Sequence, residues 1–282
     1  MTAAITIHFR NPTLTARCID SLLADGWEPV LVWDNSADGG TSCELLRARH
    51  AEDPRVLFVP NAHNLGFGAG MNAALAELGR RGYQGQVLLV NNDARVLPGM
   101  QAAMRQALSD TSTPTLLAPC VLQDGGKQGW LHYQPWLALI TRHSIPGSFA
   151  YLSGCCLLVQ RPDNASPLFD DSFFMYGEDV ELSWRFRRQG GRLVLMDRAW
   201  VEHEGSASSG QASDAYERFL VDSHRLLAWK LAGNTWSGWS MCVTKLPVLL
   251  LRALLRSLRY RSWVPLRALS EIFSQPLRRH RS

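Results

Sequence analysis

Glu178 and Asp179 stand side by side in the run FFMYGEDVELSWRFRRQGG, residues 173–191. The run reads as a helix that begins at these carboxylates, ends on the basic turn Arg185–Arg188 and stops at Gly190 and Gly191. A carboxylate held at a helix start beside Phe173, Phe174, Met175 and Tyr176 is a candidate general base. The same pattern is also ordinary helix punctuation, because early acids and late arginines both complement the helix dipole.

Other reactive side chains are scattered along the chain. Asp34 ends an apolar run in VLVWDNSADGG, where a carboxylate can accept hydrogen bonds from a ribose or a base, or simply open a turn. The run NLGFGAGMNAAL, residues 64–75, carries Asn64, Gly66, Gly68 and Gly70 at a helix start. Its GxGxG spacing departs from the dinucleotide GxGxxG, but a Gly-rich helix start still lets backbone approach a ligand closely. Asp93, in VLLVNNDARVLPG, follows another apolar run and suits Mg²⁺ or Mn²⁺ bridging a diphosphate. His203 is a candidate second ligand, which favours Mn²⁺ over Mg²⁺. A nucleophile reading is weak: there is no GxSxG elbow, and Ser153, Cys155 and Cys156 lie in an apolar strand-like run.

Positioning these residues requires a layered α/β fold. Strand patterns at Ala4–Phe9, Val30–Trp33, Val56–Val59 and Val87–Val90 alternate with helical patterns at Leu14–Leu23, Ser42–Arg49, Ala69–Leu78 and Met100–Leu108. That order predicts a Rossmann-like, mainly parallel central sheet flanked by helices. Ligands bind such sheets beyond the carboxyl ends of the strands. His8, Arg10, Asn11, Asp34, Asn64, Gly66, Asn92 and Asp93 all follow strand patterns. Further on, Thr115–Val121, Tyr151–Val159 and Arg192–Met196 read as strands and Ala215–Lys230 as a helix. The polar loop Gly205–Ser213 reads as a flap.

The 46% hydrophobic content supplies a sizeable core for 282 residues. No signal peptide is legible, and six cysteines without metal-type spacing suit a reducing cytoplasm. The net charge of +4 conceals an uneven distribution: from Thr244 onward nine Lys or Arg face one acid, Glu271. This places the expected boundary between a body, 1–232, and a basic amphipathic helical extension, 233–282. Within the extension Arg252, Arg256 and Arg259 share a helical face, with Leu249, Leu250, Leu254, Leu255 and Leu258 on the others. Such a helix either lies on an anionic membrane or packs on the body with a solvated arginine edge. It contains no uncharged stretch of about 18–20 residues for a membrane span.

Taken in order, ITIHFRN, VWDNSADGG, NLGFGAGMNAAL, LLVNNDARVLPG, YLSGCCLLVQR, FDDSFFMYGEDVELSWRFRRQGGR and HEGSAS resemble glycosyltransferase family 2, the inverting enzymes with a GT-A fold. Rhamnosyltransferase-like enzymes of bacterial surface polysaccharide assembly are the most similar branch. The resemblance covers about Ala3 to Ser208. It implies a UDP- or dTDP-sugar donor, with rhamnose the candidate sugar, and a glycan or lipid-linked glycan acceptor. It also implies a cytoplasmic enzyme, peripheral at the inner face of the plasma membrane, with no nucleic-acid partner. By resemblance Asp34 contacts the donor nucleoside, Asp93 and His203 hold Mn²⁺ or Mg²⁺, Asp179 is the base with Glu178 beside it, and Ser153 and Gly154 line the acceptor side. Asn91 stands where the family's DxD motif has its first carboxylate, which implies looser metal binding. A nucleotidyltransferase would need a Gly-rich loop with a basic residue after the first strand, and HFRNPTLTAR has no Gly. The other alternative is a catalytically inactive sugar-nucleotide or glycan-binding protein of the same fold.

Overall fold

The computed structural model describes residues 2–108, 113–161, 166–203 and 213–274. The expected flap, Gly205–Ser213, lies outside the described residues except for Ser213, as do Arg278, Arg279 and Arg281 of the basic tail.

Four strand–helix units open the chain: β1 (Ala3–His8) and α1 (Pro12–Ala24), β2 (Val30–Asp34) and α2 (Thr41–Arg49), β3 (Val56–Val59) and α3 (Phe67–Arg80), then β4 (Val87–Asn91) with a short β5 (Ala94–Val96) before α4 (Met100–Ala107). Next come β6 (Thr115–Gln123), β7 (Gly126–Gln128), β8 (Leu131–Gln134), β9 (Leu139–Thr141), β10 (Phe149–Tyr151) and β11 (Cys156–Gln160). The chain continues with α5 (Glu178–Arg188), β12 (Arg192–His203), α6 (Asp214–Lys230), α7 (Thr235–Tyr260) and α8 (Val264–Ser274).

The main sheet runs β3-β2-β1-β4-β11-β6-β12-β5, with β7 on β6. The expected parallel arrangement holds for β3, β2, β1 and β4. Beyond β4 the sheet is mixed, because β11 runs antiparallel to both β4 and β6. β12 is parallel to β6 but antiparallel to β5. A separate three-stranded sheet, β10-β8-β9, covers one end. The expected strand Tyr151–Val159 is therefore two strands in different sheets, broken at Leu152–Cys155. Gly154 lies in the break, and the apolar run on either side hides it from a periodicity reading.

Alternation along the strands explains the layering. Ala4, Val30, Val32, Leu88 and Val90 face one core with α1 and α4. Ile5, Ile7, Leu31, Trp33 and Leu89 face the other, with α3 and α5. α1 begins with Asn11 as cap, its Oδ1 accepting the Leu14 N–H at 3.1 Å, and Pro12 preset for the first turn.

The last three helices pack on one another, and α6 shares a core with α7 and α8 through Val221, Leu249, Ala253, Leu269 and Ile272. Lys245, Arg252 and Arg256 of α7 turn inward, while Arg259 is exposed. Lys245 is fully buried and donates to His224 O at 2.7 Å. Arg252 bonds His224 Nε2 at 2.8 Å and Ala138 O at 2.9 Å, and Arg256 donates twice to Glu217 Oε1. The helix packs on the body, as one expectation had it, but Arg252 and Arg256 face inward instead of forming a solvated edge; Arg259 is exposed, Leu249 is buried, and Leu250, Leu254, Leu255 and Leu258 face out. Buried carbonyls and the buried Glu217 carboxylate supply the partners that make this burial of charge tolerable.

Candidate active site

The carboxyl ends of β1 and β4, the β10–β11 break, the start of α3 and the start of α5 converge on a cleft of about 280 Å³. Nine of the thirteen residues singled out from sequence line it: Asn64 and Gly66, Asn92 and Asp93, Ser153 and Gly154, Glu178 and Asp179, and His203.

Two turns shape one wall. Gly66 has φ +82°, and a Cβ there would lie 2.2 Å from Phe174 O, so the position demands glycine. This close approach lets the Phe67 N–H donate to Phe174 O at 2.9 Å, tying the start of α3 to the loop before α5. In that loop Tyr176 and Gly177 adopt φ of 69° and 86°, which turns the chain so that Glu178 opens the helix toward the cleft. Asn35 fastens the same wall: its Nδ2 donates to Gly66 O at 2.8 Å, and its Oδ1 accepts the Leu65 N–H at 3.2 Å.

The two carboxylates are not equivalent. Asp179 Oδ2 accepts the Gly154 N–H at 3.2 Å, and Oδ1 accepts the Val180 N–H at 2.8 Å. Glu178 is buried, and its Oε2 has no hydrogen-bond partner. Burial raises both pKa values; the neighbouring Asp179 charge adds to the rise at Glu178, bringing it to about 8. The helix dipole therefore does not by itself keep the pair ionised, because burial outweighs it. Backbone donors favour the charged form at Asp179, whereas Glu178 lacks such support on Oε2 and holds the proton.

Asp93 and His203 form the second focus. β5 and β12 are adjacent antiparallel strands, and Ala94 pairs with His203 in register. His203 Nε2 comes within 3.0 Å of Asp93 Oδ1 but is not aligned for a hydrogen bond. The Gln123 Oε1 lies 3.3 Å from Nδ1, so Nδ1–H donates there and Nε2 presents its lone pair to the cleft when the ring is neutral. Burial acts to lower the His203 pKa, but Asp93 and the Cys155 sulfur outweigh it and raise the value to about 10. An imidazole nitrogen 3.0 Å from a carboxylate, both largely buried, is a donor pair that fits a divalent cation with N/O ligands. The pair supplies two donors, and no group of three or more His, Cys, Asp or Glu arranged for a metal occurs among the described residues. Any remaining ligands must come from elsewhere.

Four expected contacts do not reach the cleft lining. His8 is fully buried, with ring nitrogens 2.8 Å from Thr15 Oγ1 and 2.9 Å from Ser42 Oγ. Asp34 is buried and accepts the Ser36 N–H at 2.9 Å. Arg10 braces that turn through Ser36 O, and Asn11 caps α1. These residues shape the loops behind the cleft. Asn92 lines the cleft but also donates to Thr15 Oγ1 at 3.0 Å, so it joins this buried network. Sequence reasoning missed Phe67, Met71, Met175 and Tyr176 as lining residues. Met175 and Tyr176 sit directly beside the Glu178–Asp179 signal, which was the clue available.

The profile of glycosyl transferase family 2 matches residues 2–164. The chain belongs to this family. This glycosyltransferase is 27% identical over 241 residues to an N-acetylglucosaminyl-diphospho-decaprenol L-rhamnosyltransferase of Mycobacterium tuberculosis, covering 74% of the chain and 76% of the relative. Its fold matches the mannosyltransferase PcManGT of Pyrobaculum calidifontis, solved with GDP-Man and Mn²⁺, at a TM-score of 0.56 and 16% identity, over 99% of this chain and 88% of that one. It also matches GalNAc-T7, solved with UDP, GalNAc and Mn²⁺, at a TM-score of 0.61 and 14% identity, over 79% of this chain and 47% of that one, about half the latter's length. These are GT-A glycosyltransferases, and the expected fold is the observed one.

Proposed function

We propose that this transferase moves a sugar from a nucleoside-diphosphate sugar to a hydroxyl of a glycan or lipid-linked glycan, with inversion at the anomeric carbon. The observation that carries the reading is the unequal carboxylate pair in the cleft: Asp179 accepts two backbone N–H bonds, beside a buried Glu178 whose Oε2 has no partner. Asp179 takes the proton of the acceptor hydroxyl while that oxygen bonds to the anomeric carbon. The bond from that carbon to the donor diphosphate breaks in the same displacement, so the configuration inverts. Asn64 and Gly66, at the start of α3, line the part of the cleft the donor would occupy. Ser153 and Gly154 line the acceptor side, and the Gly154 N–H also fixes the base.

Asp93 and His203 would hold Mn²⁺ or Mg²⁺, together with donor oxygens. The chemistry such an ion supplies is neutralisation of the charge that builds on the leaving diphosphate. The mycobacterial relative's name supports rhamnose and a polyprenyl-diphosphate-linked acceptor as the first substrates to try, with dTDP-rhamnose our choice of donor. Work on such an acceptor would keep the enzyme peripheral at the cytoplasmic face of the membrane. No helix among the described residues is long and apolar enough to cross a membrane.

Asn91 favours a second reading, an inactive sugar-nucleotide or glycan binder, since an amide stands in place of a carboxylate and Asp93 and His203 are the donor pair among the described residues. Transfer and donor hydrolysis measured with Mn²⁺ and with a chelator separate the two. Turnover that chelation stops and Mn²⁺ restores supports the enzyme. Donor binding without turnover of any nucleoside-diphosphate sugar would establish the binder.

A further inference from the structure

Helix α7 keeps every charge of its first six turns on the inner face. Lys245, Arg252 and Arg256 are bonded inward, to His224, Ala138 and Glu217. The outer face carries Trp236, Trp239, Val243, Leu246, Pro247, Leu250, then Leu251, Leu254, Leu255 and Leu258, all exposed, with Ser240 and Thr244 its polar positions and no charge. Trp236 is 83% exposed, Leu258 75% and, just past the helix, Trp263 80%. From Trp236 to Leu258 the stripe is about 33 Å long at 1.5 Å per residue. A predominantly apolar surface of this length, unbroken from Leu246 to Leu258, is not a neutral feature of a water-facing helix.

We infer that this face lies in a phospholipid bilayer, parallel to its plane, with the leucines among the acyl chains. The inference rests on the proposed lipid-linked acceptor only for its biological setting. Three observations select lipid over a protein partner. Tryptophans stand at both ends of the stripe, where amphipathic rings meet the headgroup layer. Exposed Arg259 and Arg261 follow its carboxyl end, matching anionic headgroups. The stripe is one helix wide, so at a helix diameter of about 10 Å it offers roughly 330 Å², well under the roughly 800 Å² per partner of a stable dimer.

The same end of α7 adjoins the cleft. Arg256 stacks on the Tyr216 ring at 5.1 Å, and Tyr216 meets Tyr176 edge to face at 5.4 Å. Tyr176 lines the cleft. A bilayer along α7 would therefore bring its headgroup layer near the mouth of the site, where a lipid-borne hydroxyl must enter.

Attachment by insertion differs in kind from attachment by a basic helix. It survives high salt, because apolar burial is not screened, whereas phosphate contacts weaken steeply as the Debye length shrinks. The test uses the full chain and its L251E/L254E/L258E variant, with vesicles of phosphatidylethanolamine and phosphatidylglycerol, floated at low salt and at about 1 M salt, where the Debye length is about 3 Å. The wild type should float at both salts, and the variant should lose partition by on the order of a hundredfold or more. Circular dichroism and donor binding should be equal in the two, since all three leucines are exposed. Loss of wild-type flotation at high salt, or equal flotation of the variant, overturns the inference. A wild-type dimer in sedimentation that becomes monomeric in the variant, without vesicle binding, also overturns it and assigns the face to a second copy. Failure of the proposed transfer reaction would show as absent turnover with flotation unchanged, so the two claims fail separately.

Discussion

Exchanging the two adjacent carboxylates for their amides tests the division of labour between them. Asp179→Asn removes the ionised oxygen but keeps a carbonyl able to accept from Gly154 N–H or Val180 N–H. Transfer should fall by about 10²–10⁴-fold, or about 3–5 kcal/mol of transition-state stabilisation, with donor affinity little changed. Glu178→Gln replaces a group that holds its proton up to about pH 8, so turnover at pH 7 should stay near wild type. Stability gives an independent readout. A carboxylate whose folded pKa is raised binds its proton in the native state while the unfolded chain has lost it. Unfolding free energy therefore falls as pH rises from about 4.5 toward about 8, by up to about 1.4 kcal/mol per unit. The Glu178→Gln chain lacks this contribution, so its advantage in thermal melts should widen across that window. Paired pH–rate profiles and melts of both variants provide the assay. Loss of turnover in Glu178→Gln matching that of Asp179→Asn, or full turnover in Asp179→Asn, would refute the assignment. A pH-independent stability difference for Glu178→Gln would refute the raised pKa itself.

Gly66→Ala should lower stability by about 1–3 kcal/mol and weaken donor binding, because its Cβ would collide with Phe174 O at a left-handed φ; calorimetry and donor titration read the two effects. Lys245 is a buried base with its pKa lowered to about 7 by burial, faced by His224 and Arg252, with Tyr133, Arg225 and Cys242 around it. The native state releases this proton before the unfolded chain does, so stability should rise with pH from about 7 to about 10.5, and Lys245→Met should abolish that rise in urea melts.

The first four strand–helix units are legible in the sequence because their apolar runs are short, β-branched and separated by helices of clear period. β3 falls on its expected bounds, Val56–Val59. The second half is less legible, because β11 inserts antiparallel between β4 and β6, a long-range choice that no local pattern records. At the site, residues after strands were the right place to look, yet position alone does not tell a ligand from a loop brace. Asp34 and His8 end neighbouring strands as Asp93 does, but Ser36, Thr15 and Ser42 are close enough to occupy their polar atoms. Only Asp93, facing an imidazole from a strand more than a hundred residues later, turns its carboxylate to the cleft. The partner decides, and the partner is distant in sequence.

Helix α7 makes the same point about amphipathicity. A helical plot separates Arg252 and Arg256 from Leu250, Leu254 and Leu258, but it does not say which side is inside. Composition suggests the leucines, since burying a charge is expensive. The outcome is reversed because α6 offers a buried carboxylate at Glu217 and a carbonyl at His224, and the β8–β9 turn offers Ala138 O. Satisfying those groups with guanidinium and ammonium leaves room inside for Leu249 and turns the other leucines of α7 outward. An apolar face displaced to the surface costs free energy in water for as long as it stays there. Retaining ten such side chains on one helix makes sense when the medium they meet is not water.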